Sequence, residues 1–202
     1  STLVHSLIYQ HRTSFMAQSL IYSLLRSPET IQFVPEIFVK CFIEALDSVD
    51  NQLQKEVVCE SIALFVNHSP SHLYNLQLDT LSNLSKATMY SALLSNCSLS
   101  DQWVHSIVHE LENAIMTDPS ILQSFHALHT AFMTHKELFT RDQTALSHSN
   151  FLLTQLMKST QPDQIYYIDK CLAVLLPGVL ESWDGDDKVA YVKGVEFMIQ
   201  NL

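Results

Sequence analysis

The sequence predicts an all-α chain of antiparallel helical hairpins, and three observations carry that expectation. The first 177 residues contain no glycine, and Gly178, Gly185 and Gly194 all fall in the last 25 positions. Glycine supplies the positive-φ turns of tight β-hairpins and the close backbone approach of phosphate-cradling loops, so both are nearly excluded over most of the chain. Apolar residues recur at helical spacing, most clearly as Val104, Ile107, Val108, Leu111 and Ile115. Finally, Ser, Thr or Asp stands ahead of these runs, often just before proline, where it can cap free N–H groups.

Taken in order, the pattern predicts helices over 3–26, 30–48, 51–67, 70–77, 79–96, 101–116, 119–134, 142–159, 162–182 and 187–201. Ser27-Pro28 separates the first two, and Ser69-Pro70 opens the fourth. Ser100-Asp101 caps the helix that carries the Val104–Ile115 stripe. Asp118-Pro119 opens the next, whose stripe is Ile121, Phe125, Leu128 and Phe132. Thr140-Arg141-Asp142 and Gln161-Pro162 open the two that follow. Pro35 and Pro177 fall inside predicted helices and are expected to kink or split them. No stretch shows sustained strand alternation. Short links between helices of this length force antiparallel neighbours.

Composition narrows the function. Eleven basic against 21 acidic residues give a net charge of −10, which argues against nucleic acid or an anionic membrane as partner. No stretch is long and apolar enough for a membrane span. The charged fraction of 16% lies well below the roughly 25% of an average domain. Polar helix faces are therefore built from Ser, Thr, Gln, Asn and His, which are easier to desolvate than Glu or Lys. Much of this surface is expected to be covered in the intact molecule. Cys41, Cys59, Cys97 and Cys171 are far apart in sequence and read as buried thiols in a reducing compartment. The acidic group Glu181, Asp184, Asp186 and Asp187 reads as a solvated turn.

The stretch Leu175-Leu176-Pro177-Gly178-Val179-Leu180-Glu181-Ser182-Trp183-Asp184, followed by Val192-Lys193, resembles a HEAT repeat. That family pairs an LPxLL-type helix start with an Asp in the turn and a Val-Arg or Val-Lys opening the second helix. A weaker echo runs from Val34-Pro35-Glu36-Ile37-Phe38 through Leu46-Asp47, Lys55 and Val57-Val58 to Ile62-Ala63, with stretched spacing. The middle, 70–160, pairs helices without consensus residues. The resemblance implies a HEAT/armadillo-like α-solenoid, in which stacked hairpins present a long curved binding face. The chain lacks an initiator Met and starts in mid-pattern, and it reads as a single repeat domain, 1–202, of a larger protein.

Candidate chemistry is sparse. His105, His109 and Glu112 share one helix flank, and His126 and His129 lie on the next helix, so four imidazoles could converge on a metal. Against this, there is no HExxH, no His-Asp doublet and no nearby Cys pair. Glu110 and Glu112 are two apart on a helix and point different ways, so they form no acid/base pair. Trp183, Tyr166, Tyr167 and Tyr191 are candidate partner-binding anchors, because aromatic residues concentrate at binding hot spots. Trp103, bordering its helix's apolar stripe, reads as packed between layers.

The expected function is a non-catalytic protein–protein interaction scaffold within a larger intracellular assembly, in cytoplasm or nucleus, with no cofactor. A groove would take a partner helix or extended peptide through apolar and uncharged polar contacts. Two alternatives stay open. One is a helical metal-binding protein or metal-dependent hydrolase using His105, His109, His126 and His129. The other is a structural spacer of a longer solenoid.

Overall fold

The computed structural model describes residues 36–68, 76–181, 185–186, 189, 191–193 and 196. Of these, 84% are helical and none lies in a strand, so the chain is all-α over its described residues. No helix among them is long and apolar enough to cross a membrane. The expected helix over 3–26 lies outside the described residues, as does all but the end of that over 70–77. Residues 189, 191–193 and 196 of the expected last helix are helical. The chain divides into two compact units, Ser1–Ser100 and Asp101–Leu202.

In the first unit, α1 spans Glu36–Ala45 and tightens into a 3-10 turn at Leu46–Ser48. Helix α2 spans Gln52–His68 and α3 spans Asn83–Asn96. The core is Phe42, Leu46, Cys59, Ile62, Phe65, Met89 and Leu93, each at most 2% exposed. The third helix was expected from 79 but begins at Asn83. A 3-10 turn occupies Leu78–Thr80, and Ser82 then caps α3 by accepting from the Ser85 N–H.

That cap is one member of a polar chain. The Ser82 N–H donates to Asp47 at 2.9 Å, and the Ser82 hydroxyl donates to the other carboxylate oxygen. Lys55 Nζ donates to the buried Ser85 hydroxyl at 2.9 Å. Gln52 of α2 also reaches Thr88, while near the other end the Cys97 thiol donates to the Ala63 carbonyl. Starts meet starts and ends meet ends, so α2 and α3 run in the same direction. Their connection is long enough to allow it, unlike the short links that enforce an antiparallel pair.

In the second unit, α4 spans Asp101–Thr117, α5 Leu122–Thr134 and a short α6 Lys136–Phe139. Helix α7 spans Asp142–Leu156 and α8 spans Pro162–Glu181. The predicted stripe of α4 is buried throughout, from Val104 to Ile115. Phe125, Leu128 and Phe132 of α5 are fully buried against it. Helix α5 starts three residues later than expected from Asp118-Pro119. The Asp118 carboxylate accepts from the Ser120 N–H and hydroxyl, forming a local turn instead of capping the helix.

Four- and five-residue turns make α4–α5 and α7–α8 antiparallel hairpins. Their second helices, α5 and α8, pack together in the same direction. At one end Gln164, 4% exposed, donates to the Pro119 carbonyl. At the other, α8 meets the backbone at Thr140. Of the two outcomes expected at Pro177, a kink or a split, the split does not occur, and α8 continues through it. Pro177 removes the N–H that would bond the Ala173 carbonyl, and both residues are exposed. Its neighbour Gly178 is buried, and a Cβ there would collide with the Thr140 carbonyl oxygen. Only glycine permits that approach.

Two predictions follow from these contacts. Gly178→Ala should lower unfolding stability by about 2 kcal/mol in urea titration, because overpacking against backbone outweighs the roughly 1 kcal/mol that alanine gains in helix propensity. Burial works to raise the Asp47 carboxyl, but hydrogen bonds from Ser82 and Ser85 and the charge of Lys55 hold it below its usual value. With the folded value lower, the stabilisation is complete above the unfolded carboxyl value, about pH 4, and fades as acid protonates the group. Asp47→Ala should therefore cost about 1 kcal/mol at neutral pH, solvent screening keeping it small. The gap from the parent should close in acid.

Candidate binding surface

Helix α8 turns Tyr166 outward and Tyr167 toward α5. Tyr166 is 55% exposed, one of the few large apolar side chains so placed. Its ring is braced edge-to-face by Tyr167, with centroids 5.3 Å apart. Lys170, one turn on, sets its ammonium 5.4 Å from the same ring centroid. Tyr167 is half-buried because α5 runs beside it. His126 meets the Tyr167 ring edge-on at 5.4 Å, and His129 lies tilted at 6.3 Å. The result is one continuous patch of two tyrosines, two histidines and a lysine across the α5–α8 seam.

This placement divides the histidines considered for a metal. His105 of α4 packs edge-on against Phe139 at 5.2 Å, while His126 and His129 face Tyr167. The four imidazoles therefore do not converge. Among the described residues no group of three or more His, Cys, Asp or Glu side chains is arranged to hold a metal ion. His126 and His129 share Tyr167 as a neighbour, while His105 has Phe139.

Beside His105 lies a second cluster that the spacing did not reveal. His148 of α7 donates from Nδ1 to Glu112 of α4 at 2.6 Å, with both side chains largely buried. Its ring rests against Phe132 and Phe139, which also meet each other edge-on. Phe139 comes from α6, a segment expected to be a plain link. Glu112 and His148 are 36 positions apart, and nothing local in the sequence joins them.

Tyr191 is half-buried; burial pushes its phenol up, offset in part by the nearby Ser149 of α7. Trp183 lies outside the described residues, as do Asp184 and Asp187 of the acidic turn. Trp103 is half-buried on α4. Cys59 and Cys171 are fully buried free thiols, and burial raises both. Burial pushes Cys97 up to about 11, so none is a ready nucleophile. The side chain of Cys41 lies outside the described residues.

Comparison of the chain with protein-family models, with curated proteins and with solved structures finds no match.

Two histidines carry a pH consequence. Burial pushes His129 down, and the positive charges of His126 and Lys170 push it further. Burial also lowers His135, against an opposing pull from Asp101. A folded value below the unfolded one means stability is complete above the usual imidazole value of about 6.5 and is lost as pH falls through the folded value. The urea midpoint should therefore drop between about pH 7.5 and about pH 5. In the double variant His129→Gln and His135→Gln this slope should flatten. An unchanged slope would assign the acid sensitivity elsewhere.

Proposed function

We propose that this chain is a non-catalytic protein-interaction module whose binding face lies along the α5–α8 seam. The observation that carries this is Tyr166, exposed yet held between Tyr167 and Lys170. A large amphipathic ring already fixed in place loses little entropy on binding, which is the character of a hot-spot anchor. His126 and His129 extend the patch onto the neighbouring helix with polar groups that desolvate more easily than carboxylates.

The wider architecture is in keeping with this reading. Two hairpins with their second helices side by side is the contact by which HEAT/armadillo-like repeats stack, and Asp47 and Lys55, from the weaker sequence echo, both serve the polar chain at the start of α3. On this proposal the chain is a stretch of α-solenoid, and a partner helix or extended peptide lies along the seam. Free thiols in all three described cysteines suit a reducing compartment inside the cell. The Glu112–His148 pair is surrounded by phenylalanine rings and serves packing in this reading.

A photo-crosslinking amino acid in place of Tyr166 should capture a discrete partner in cells. Tyr166→Ala should weaken that partner's binding by about tenfold, the effect of losing one anchor of about 1.4 kcal/mol. Leu53→Ala, at a still more exposed position on α2, should leave it unchanged. Equal weakening by Tyr166→Ala and Leu53→Ala, or no capture from position 166, would remove this face from the function.

A further inference from the structure

The two hairpins of the second unit are joined unevenly. Helices α5 and α8 lie in close backbone contact along their seam, and α4–α5 and α7–α8 are each closely packed. The first helices, α4 and α7, run in the same direction as each other but have little backbone contact. Each hairpin is therefore a firm body, and the two meet backbone to backbone on one side. The seam is pinned at its two ends, by Gln164 on the Pro119 carbonyl and by Gly178 against Thr140. Two fixed points leave one rotation, about the line that joins them. That rotation opens or closes the space between α4 and α7.

The wider side is closed by side chains. His148 of α7 donates from Nδ1 to the Glu112 carboxylate of α4 at 2.6 Å. Phe132 of α5 and Phe139 of α6 lie against the His148 ring and each other, and His105 of α4 lies against Phe139, with centroids 5.1 to 5.5 Å apart. These two kinds of contact respond differently to a small tilt. Ring pairs stay attractive over a range of centroid separations, about 4.5–7 Å. A hydrogen bond is lost once its atoms part by about 1 Å. The polar contact is thus a catch with two states, made or broken. Glu112 and His148 also reach the water's edge, their side chains 16% and 14% exposed. Water can take up both groups as they part, so the broken state strands no buried charge.

We propose that the second unit is a hinged pair of hairpins, with the α5–α8 seam as the hinge and Glu112–His148 as the catch that sets the angle between α4 and α7. With the catch made, α4 and α7 are held over Phe132 and Phe139, both fully buried. With it broken, the α4–α7 side opens and water reaches these rings, while the seam stays intact. The device holds whatever the seam binds.

The test is a distance measurement on the whole chain by pulsed electron spin resonance, with spin labels carried on genetically encoded side chains. Labels replacing Met116 and Met157 report the opening, because both residues are exposed and stand at the ends of α4 and α7 on the same side of the unit. Labels replacing Met133 of α5 and Ala173 of α8, both exposed, watch the seam. Glu112→Ala should lengthen and broaden the distance between positions 116 and 157. The long-distance population should rise about tenfold or more, the weight of one hydrogen bond to a charged group. The distance between positions 133 and 173 should stay as in the parent. Glu112→Gln, which retains a neutral hydrogen bond, should fall between parent and Glu112→Ala. An unchanged distance between 116 and 157 in Glu112→Ala would overturn the catch. Equal broadening of both pairs would overturn the hinge, since it means a general loosening of packing. Should Glu112→Ala lose its helical circular dichroism, the same two criteria apply to Glu112→Gln and to His148→Gln.

Discussion

The second unit turns on a single close approach, that of the α8 backbone at Gly178 to the carbonyl of Thr140. A methyl group there would overlap a peptide oxygen that has nowhere to move, since Thr140 joins α6 to α7. Glycine lets α8 lie flat against that link. With Gln164 tied to the Pro119 carbonyl at the opposite end, α8 is pinned twice and must run alongside α5. The meeting of Tyr167 with His126 and His129 is a consequence of those two contacts. Separating them would leave the same side chains exposed but scattered.

The first unit solves a related problem with polar groups. Asp47, at the tight turn ending α1, holds the first residues of α3 through Ser82, and Lys55 of α2 reaches the same place through Ser85. A buried ammonium is tolerated because it is hydrogen-bonded and lies in the field of that carboxylate. Three helical segments that are distant in sequence are thereby registered against one another without a glycine or a proline.

The functional reading follows from what these constraints leave outside. Helix interiors are filled by Leu, Ile, Val and Phe, and the outer faces are mostly uncharged. Against that background the α5–α8 seam concentrates aromatic area and cation-forming nitrogen at one place. The cluster at Glu112, His148, Phe132 and Phe139 is similar in composition, but it is closed over by its own rings and works as packing. Exposure is what separates the two, and Tyr166 supplies it.

The all-α character, most helix limits and the buried stripes were written in local spacing. Val104, Ile107, Val108, Leu111 and Ile115 could face only one way once the segment was helical, and they are buried. Tyr166 and Tyr167 stood out as candidates by residue type alone, and Lys170 was findable one turn beyond. The direction of α2 relative to α3 was not legible, because a long connection permits either sense. Nor was the fate of the histidines. Their flanks follow from the helical period, but which neighbour meets a flank depends on contacts such as Gly178 with Thr140 and Gln164 with Pro119. The sequence by itself determined the helices and which side of each is apolar, since those depend on residues three and four apart. Only the tertiary structure decided that His126 and His129 face tyrosine while His105 faces phenylalanine, because that choice is made by packing between residues far apart along the chain.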